Sequence, residues 1–307
     1  MEVLNSTDVI IIGGGPAGMT AALWCEELGI KSVLIEQTDR LGGQMHRIYN
    51  PIENYPGVRA ENGLEMLSKF YRSIESRNFV TRLGAKASML DTTSITVRVD
   101  QEVWSAVAII LAMGVRRRRL GVPGETEFEG RGILESGVRD KDVVKGKRVV
   151  IVGGGDAAFE NAIALSDVAA SVAVAFRKTL PSARKEFIDE VRRRENIELL
   201  PETVVTEIAG DSSVQRIATT NSAGESKFVL ADAVLIRIGV EPNSEIVRGL
   251  VDLDDTGYIK VDHTGRTSAE NVYAVGDIAN GHSPTLITAA GTAVSAVKTI
   301  SNSIRKT

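Results

Sequence analysis

The chain has a single cysteine, Cys25, in 307 residues. One cysteine cannot close an internal disulfide, so a dithiol mechanism carried by this chain alone is excluded. Cys25 sits in "TAALWCEELG", on a predicted helix, where it reads as a small apolar core residue. Histidine is almost as scarce. His46, His263 and His282 are far apart and form no metal-ligand spacing, and no metal site is expected. His46 follows "GGQM" and His282 follows "GDIANG", and each reads as a polar or packing residue rather than an acid–base catalyst. No Gly-x-Ser-x-Gly nucleophile motif is present. No apolar run approaches the ~18 residues of a membrane span. The first apolar run, Val9 to Ile12, passes directly into glycines, which marks a strand rather than a signal peptide, and the expected location is the cytoplasm. The net charge of −4 offers no whole-molecule attraction for nucleic acid or an anionic membrane.

Glycine, by contrast, is concentrated where it matters. The run "VIIIGGGPAGM" places Gly13, Gly15 and Gly18 in the G-x-G-x-x-G pattern between a short apolar strand and a helix predicted over residues 16–28. The first glycine permits a tight turn, the second lets backbone approach a pyrophosphate, and the third allows close helix–strand packing. The helix start, opened by Pro16, offers the N–H of Ala17 and of the residues after it, with partial positive charge, to phosphates. Glu36, 23 residues after Gly13 at the end of the next strand, is placed to accept a ribose hydroxyl.

The unit recurs. "VVIVGGGDAAFE" carries Gly153, Gly155 and Ala158 as G-x-G-x-x-A, with Asp156 and Ala157 opening a helix predicted near residues 156–168. The following strand ends in Arg177 and Lys178, the former 24 residues after Gly153. The offset matches that of Glu36 and the charge is opposite. Basic residues there suit a 2′-phosphate, so the second nucleotide is expected to be NADP(H), with Arg184 as a further contributor. The competing reading is a solvated basic surface. Asp156 also reads simply as a residue that favours a helix start.

Two nucleotide-binding units in one chain predict an α/β protein with two Rossmann-like, three-layer ββα domains. Segments 114–124 and 237–243 read as hinges, which sets the expected domains at 1–115, 116–239 and 240–307, the middle one inserted into the first. A C-terminal helix is predicted over residues 285–304. The run Arg116 to Arg119 lies in the first hinge and reads either as a solvent-facing cluster or as a landing patch for an acidic protein.

These motifs, together with "GGQ" at 42–44, "ENYPG" at 53–57, "AIILAMG", "VPGE", "GRG" at 130–132 and "NVYAVGD", resemble the low-molecular-weight thioredoxin reductases over nearly the whole chain. The resemblance implies FAD on the first domain, NADPH on the inserted one, and a homodimer. It assigns Gly43, Gln44 and Asn54 to the flavin side and Asp277 to the ribityl–pyrophosphate region, and extends the FAD set to Ala87, Gly114 and Thr285.

The departures from that family carry the functional expectation. Ser136 and Arg139 stand where the family's redox cysteines align, and neither side chain cycles electrons. A sister group that lacks the dithiol, the thioredoxin-reductase-like ferredoxin–NADP reductases, is similar in "GGQ" followed by Tyr49, a tyrosine that stacks on flavin there, and in "GGGDAA". The resemblance therefore implies an NADPH-dependent flavoprotein with no catalytic side chain of its own, passing electrons to an external acceptor, ferredoxin or flavodoxin first. Reduction of a partner's disulfide, of a quinone or of oxygen, and a non-enzymatic flavin-holding sensor, are the alternatives.

Overall fold

The computed structural model describes residues 3–305. The chain forms two compact units, one made of Met1–Arg116 and Glu241–Thr307, the other of Arg117–Val240.

The first unit is built on a five-stranded parallel sheet in the order Val272–Ala274, Ala108–Leu111, Val9–Ile12, Ser32–Ile35, Val80–Arg82. The three central strands are buried at every position. Their uninterrupted apolar sequence follows from burial of both faces, because side chains alternate across a strand. Val9 and Ile11 face one core with helices Pro16–Glu27, Gly63–Ile74 and Leu286–Ile304. Ile10 and Ile12 face a second core, shared with Leu90, Val97 and Trp104 of a four-stranded sheet. Helix, sheet and sheet thus form the three layers.

The second unit repeats the plan. Its parallel sheet runs Ile133–Leu134, Ala233–Ile236, Arg148–Val152, Ser171–Ala175, Ile197–Leu200. One face packs on helices Asp156–Ser166 and Lys185–Arg193. The other packs on an antiparallel meander, Thr203–Gly210, Val214–Asn221 and Ser226–Leu230. In each unit the strand that enters a glycine turn is central, with neighbours reached by crossovers in opposite directions. That switch point is where doubly wound sheets take dinucleotides.

The helix ends differ slightly from expectation. The first helix stops at Glu27, with Leu28 as its C-cap. The second glycine-turn helix stops at Ser166. The C-terminal helix begins at Leu286 because Thr285 is its cap.

Candidate functional site

Sterics explain the glycines of the first turn. Gly13 has φ +109°, and a Cβ there would overlap the carbonyl oxygen of Ala112. A Cβ on Gly18 would overlap the carbonyl of Gly13. Gly15 is the N-cap of the helix, with Pro16 inside its first turn and no side-chain capping bond. A Cβ on Gly15 would meet no clash, standing 4.0 Å from the Cα of Gly43, so the loop of Gly43 lies beside the helix start. Ala17 meets Gly276, where an added Cβ would come within 2.9 Å of the Ala17 methyl, so the Gly276–Ile278 turn lies against the same helix start.

Glu36 is buried. Its Oε2 accepts from Gly14 N–H (2.7 Å), and its Oε1 accepts from Thr38 N–H (2.8 Å) and Thr38 Oγ1 (2.9 Å). A carboxylate accepts about four hydrogen bonds, so capacity for about one more remains toward a ligand. Glu36 lines a cleft of about 440 Å³ together with Gly13, Ala87, Lys86, Met113 and Asn243. A cleft of this size, walled by a glycine turn and a buried acid, fits the adenosine side of FAD.

Around the turn, Gly42 N–H donates to Gly14 O (2.8 Å), which brings Gly43 beside Gly15. Gln44 Nε2 donates to Val115 O (2.7 Å), next to Gly114, whose own carbonyl accepts from Asn243 N–H (3.0 Å). Tyr49 is half-buried and Asn54 is exposed on strand Ile52–Tyr55. Asp277 is half-buried, and burial raises its carboxyl above the ordinary value. The hydroxyl of Thr285 is engaged in a capping box with Thr288, so its contribution is a helix end rather than a free side chain. Sequence reasoning did not single out Gln37, Lys86, Asn243 or Glu245 on the cleft wall, because they carry no spacing signal, and it read Arg116 only as part of the hinge run.

The second turn has the same steric logic. Gly153 has φ +145°, and a Cβ there would overlap the carbonyl of Arg237. Ala158 is fully buried, with its methyl 3.3 Å from where that Cβ would stand. Gly155 caps the helix, and a Cβ there would only touch Ser182 Oγ at 3.9 Å, without a clash. Asp156 accepts from both Arg184 N–H and Arg184 Nε at 2.7 Å, which holds its carboxyl below the usual range. Arg184 also pairs with Glu186 (2.9 Å) and lies over the Phe187 ring, so its charge is already shared among acids. Ala157 is exposed on the first helical turn, and Arg177 and Lys178 are exposed one and two residues past buried Phe176.

The hinge arginines do not form a free basic patch. Arg116 pairs with Glu241 (2.7 Å) and Glu245 (2.5 Å). Arg117 donates to the Glu135 carbonyl (2.6 Å), Arg118 to the Val240 carbonyl (2.9 Å), and Arg119 to Glu129 (2.6 Å). The acidic-partner reading of this run loses its basis.

The segment at 130–140 is tied down. Asp140 Oδ2 accepts from Glu135 N–H (2.6 Å) and Ser136 N–H (3.0 Å), and Gly137 N–H donates to Asn161 Oδ1 (2.7 Å). Ser136 is buried, while Arg139 is exposed and pairs with Glu135 and Asp140. Cys25 is fully buried, and desolvation pushes its thiol up to about 12. His46 bonds the Leu41 carbonyl at 2.8 Å, and His263 and His282 are exposed. Among the described residues no group of acids, histidines and cysteine suits a metal ion, and no helix is long and apolar enough to cross a membrane.

Two Rossmann-like units, each with a steric glycine turn at a helix start, are the architecture of a protein that takes two dinucleotides. The model of the pyridine nucleotide-disulphide oxidoreductase family matches residues 7–296, and the chain belongs to that family. It is 38% identical over 294 residues to a thioredoxin reductase of Mycolicibacterium smegmatis, covering 94% of each chain. The Lactococcus lactis thioredoxin reductase structure superposes with a TM-score of 0.84 at 29% identity, covering 98% of this chain and 100% of that one. The bacillithiol disulfide reductase of Bacillus cereus shares the fold, with a TM-score of 0.80 at 20% identity over 97% of this chain and 100% of that one. The chain is a flavin-dependent pyridine nucleotide oxidoreductase of the thioredoxin reductase type, with FAD and NADP(H) as its cofactors.

Proposed function

We propose that the chain is an NADPH-dependent FAD reductase that hands electrons directly to a small external carrier of the ferredoxin or flavodoxin kind. The observation that carries this reading is the pairing of two intact dinucleotide turns with a single cysteine that is buried and held as a thiol. With no second thiol in the chain, electrons leave the protein from the flavin. A relative from Clostridium pasteurianum, 29% identical over 281 residues and covering 91% of each chain, is described as a 34.2 kDa protein in a rubredoxin operon, which suits an electron-carrier acceptor.

FAD and NADPH, when bound, supply the hydride and single-electron chemistry, and the protein supplies binding and orientation. In the first unit Gly13, Gly15, Pro16, Ala17 and Gly18 receive the FAD pyrophosphate at the helix start. Glu36 accepts a ribose hydroxyl, and Ala87 walls the cleft. Gly43, Gln44, Tyr49, Asn54 and Gly114 line the flavin side, with Asp277 on the ribityl chain and the helix start behind Thr285 closing it. In the second unit Gly153, Gly155, Asp156, Ala157 and Ala158 form the NADPH turn, and Arg177 and Lys178 meet the 2′-phosphate. Arg184 serves that site by neutralising Asp156. Ser136 and Arg139 occupy the place of the family's dithiol. The same reading makes the protein a cytoplasmic homodimer.

The relatives' names favour a second reading, reduction of a disulfide, with the thiols then belonging to a partner. NADPH turnover measured anaerobically with ferredoxin, flavodoxin and oxidised thioredoxin, and in air with no carrier added, separates the two. Faster turnover with a carrier than with oxygen, unchanged in Cys25→Ala, is the expected result. Reduction of thioredoxin by the purified protein alone overturns the proposal.

A further inference from the structure

The strand entering the second glycine turn, Arg148–Val152, has Ser171–Ala175 on one side and Ala233–Ile236, then Ile133–Leu134, on the other. A dinucleotide whose pyrophosphate sits on the turn spreads across the carboxyl ends of strands on both sides of the switch point. Arg177 and Lys178 follow the first neighbour and define the adenosine side. The opposite side ends in Arg237 and Glu135, which directly follow Ile236 and Leu134.

Arg237 is half-buried there. Its carbonyl packs against the Cα of Gly153, and its guanidinium donates to the carbonyls of Ile236 (2.9 Å) and Glu135 (2.6 Å). Arg117 donates to the same Glu135 carbonyl at 2.6 Å. Two guanidinium groups on one oxygen stand close enough to repel, and burial together with Arg117 brings Arg237 down to about 10. The Glu135 carboxylate, 3.8 Å from Arg117, and the Asp140 carboxylate near Arg237 offset part of this charge. Beside a turn that already presents backbone N–H groups, a half-buried pair of guanidinium groups is an anion site.

We propose that Arg237, supported by Arg117, is the subsite for the phosphate of the nicotinamide mononucleotide half of NADPH. The pair fixes the nicotinamide half over the ends of Ile133–Leu134 and Ala233–Ile236, beside buried Ser136. The 2′-phosphate is then read by Arg177 and Lys178, and the second phosphate by Arg237. This rests on the reading of the second unit as the NADPH site, which the ligand pair below tests separately.

The experiment measures equilibrium binding of NADPH and of 2′,5′-ADP to the FAD-loaded protein. The 2′,5′-ADP has the adenosine half and the 2′-phosphate but lacks the nicotinamide mononucleotide phosphate. Arg237→Ala is expected to weaken NADPH about tenfold while leaving 2′,5′-ADP within about twofold, since only one charge-assisted contact is removed. Arg237→Lys recovers part of the loss, and Arg117→Ala shifts NADPH in the same direction by less. Retained 2′,5′-ADP binding shows that the variant unit is folded. Equal weakening of both ligands by Arg237→Ala and by Arg117→Ala, or no change in either, overturns the subsite. A wild-type protein that binds neither ligand overturns the NADPH reading itself, and the subsite with it.

Discussion

Arg184 holds Asp156 twice, its backbone N–H and its Nε each donating to the carboxylate at 2.7 Å. The pair sits at the first turn of helix Asp156–Ser166, where an acid favours the helix but opposes a phosphate. With Arg184 in place the carboxylate is neutralised. Arg184→Ala is therefore expected to weaken NADPH binding about fivefold, by exposing the phosphates to an unpaired carboxylate. Adding Asp156→Asn to that variant restores most of the affinity. A double variant as weak as Arg184→Ala would show instead that Arg184 touches the nucleotide directly. Titration calorimetry on the two single variants and the double variant decides between them.

Gly18 and Ala158 occupy the same place in the two turns yet are not interchangeable. A methyl on Gly18 overlaps the Gly13 carbonyl, whereas the second turn accommodates the Ala158 methyl beside Gly153. Gly18→Ala must move the helix away from its strand, at a cost of about 1–3 kcal/mol. The expected outcome is loss of FAD on purification and a lower unfolding midpoint. Ala158→Gly costs about 1 kcal/mol, chiefly through helix propensity, with FAD content unchanged. Flavin absorbance and thermal unfolding read both.

The two nucleotide units were legible because their chemistry is local. A buried strand, a glycine turn and a helix fit within about thirty residues, and Gly13, Gly18 and Gly153 each have a steric reason in the fold. Helix Gly63–Ile74 left a fainter trace. Its cap Asn62, accepting from Leu64 and Glu65 N–H at 3.0 Å, lies in a short polar stretch that competes with turn readings. The cleft wall was legible only at Gly13, Glu36 and Ala87, since Asn243 and Met113 meet only through the folded chain, Asn243 Nδ2 donating to the Met113 carbonyl across 130 positions. The pairing of the arginine run was hidden for the same reason. The partners of Arg116 and Arg117, namely Glu241, Glu245 and Glu135, are distant in sequence, so the run itself shows four cations and hides those acids.

The second unit carries an acid-sensitive clamp. Asp232, just before strand Ala233–Ile236, takes Arg148 Nε (3.0 Å), Arg148 Nη2 (2.6 Å) and Arg148 N–H (2.8 Å). The Arg148 side chain above all, with its backbone N–H, lowers the carboxyl to about 2. A depressed carboxyl gives stability that is present above the unfolded value near 3.8 and is lost as pH falls toward 2. Both side chains are about one-third exposed or more, so solvent screening limits the contribution to about 1 kcal/mol. Asp232→Asn is expected to lower the unfolding midpoint by about 3 °C at neutral pH. The gap to wild type closes between pH 4 and 2, and unfolding curves across that window measure it.

On the proposed placement of Asp277 at the flavin, it trades the stability of the free protein for cofactor retention. Burial alone raises its carboxyl, and the Gly276 N–H beside it is anchored to Thr292 Oγ1 at 3.0 Å, which fixes the turn on the helix Leu286–Ile304. A raised carboxyl favours the folded apoprotein at low pH. That stability is fully present below 3.8 and is lost as pH rises through the folded value, after which a buried charge opposes folding. Asp277→Asn removes the charge and keeps the shape. The flavin-free variant is expected to melt a few degrees above flavin-free wild type at pH 7 and to match it as the pH falls to about 4. The same substitution gives up a charge-assisted contact with the ribityl–pyrophosphate region and should weaken FAD about tenfold. Equal melting of the two apoproteins at pH 7 would remove the burial penalty, and unchanged FAD affinity would remove Asp277 from the flavin site, so each half of the trade is tested on its own.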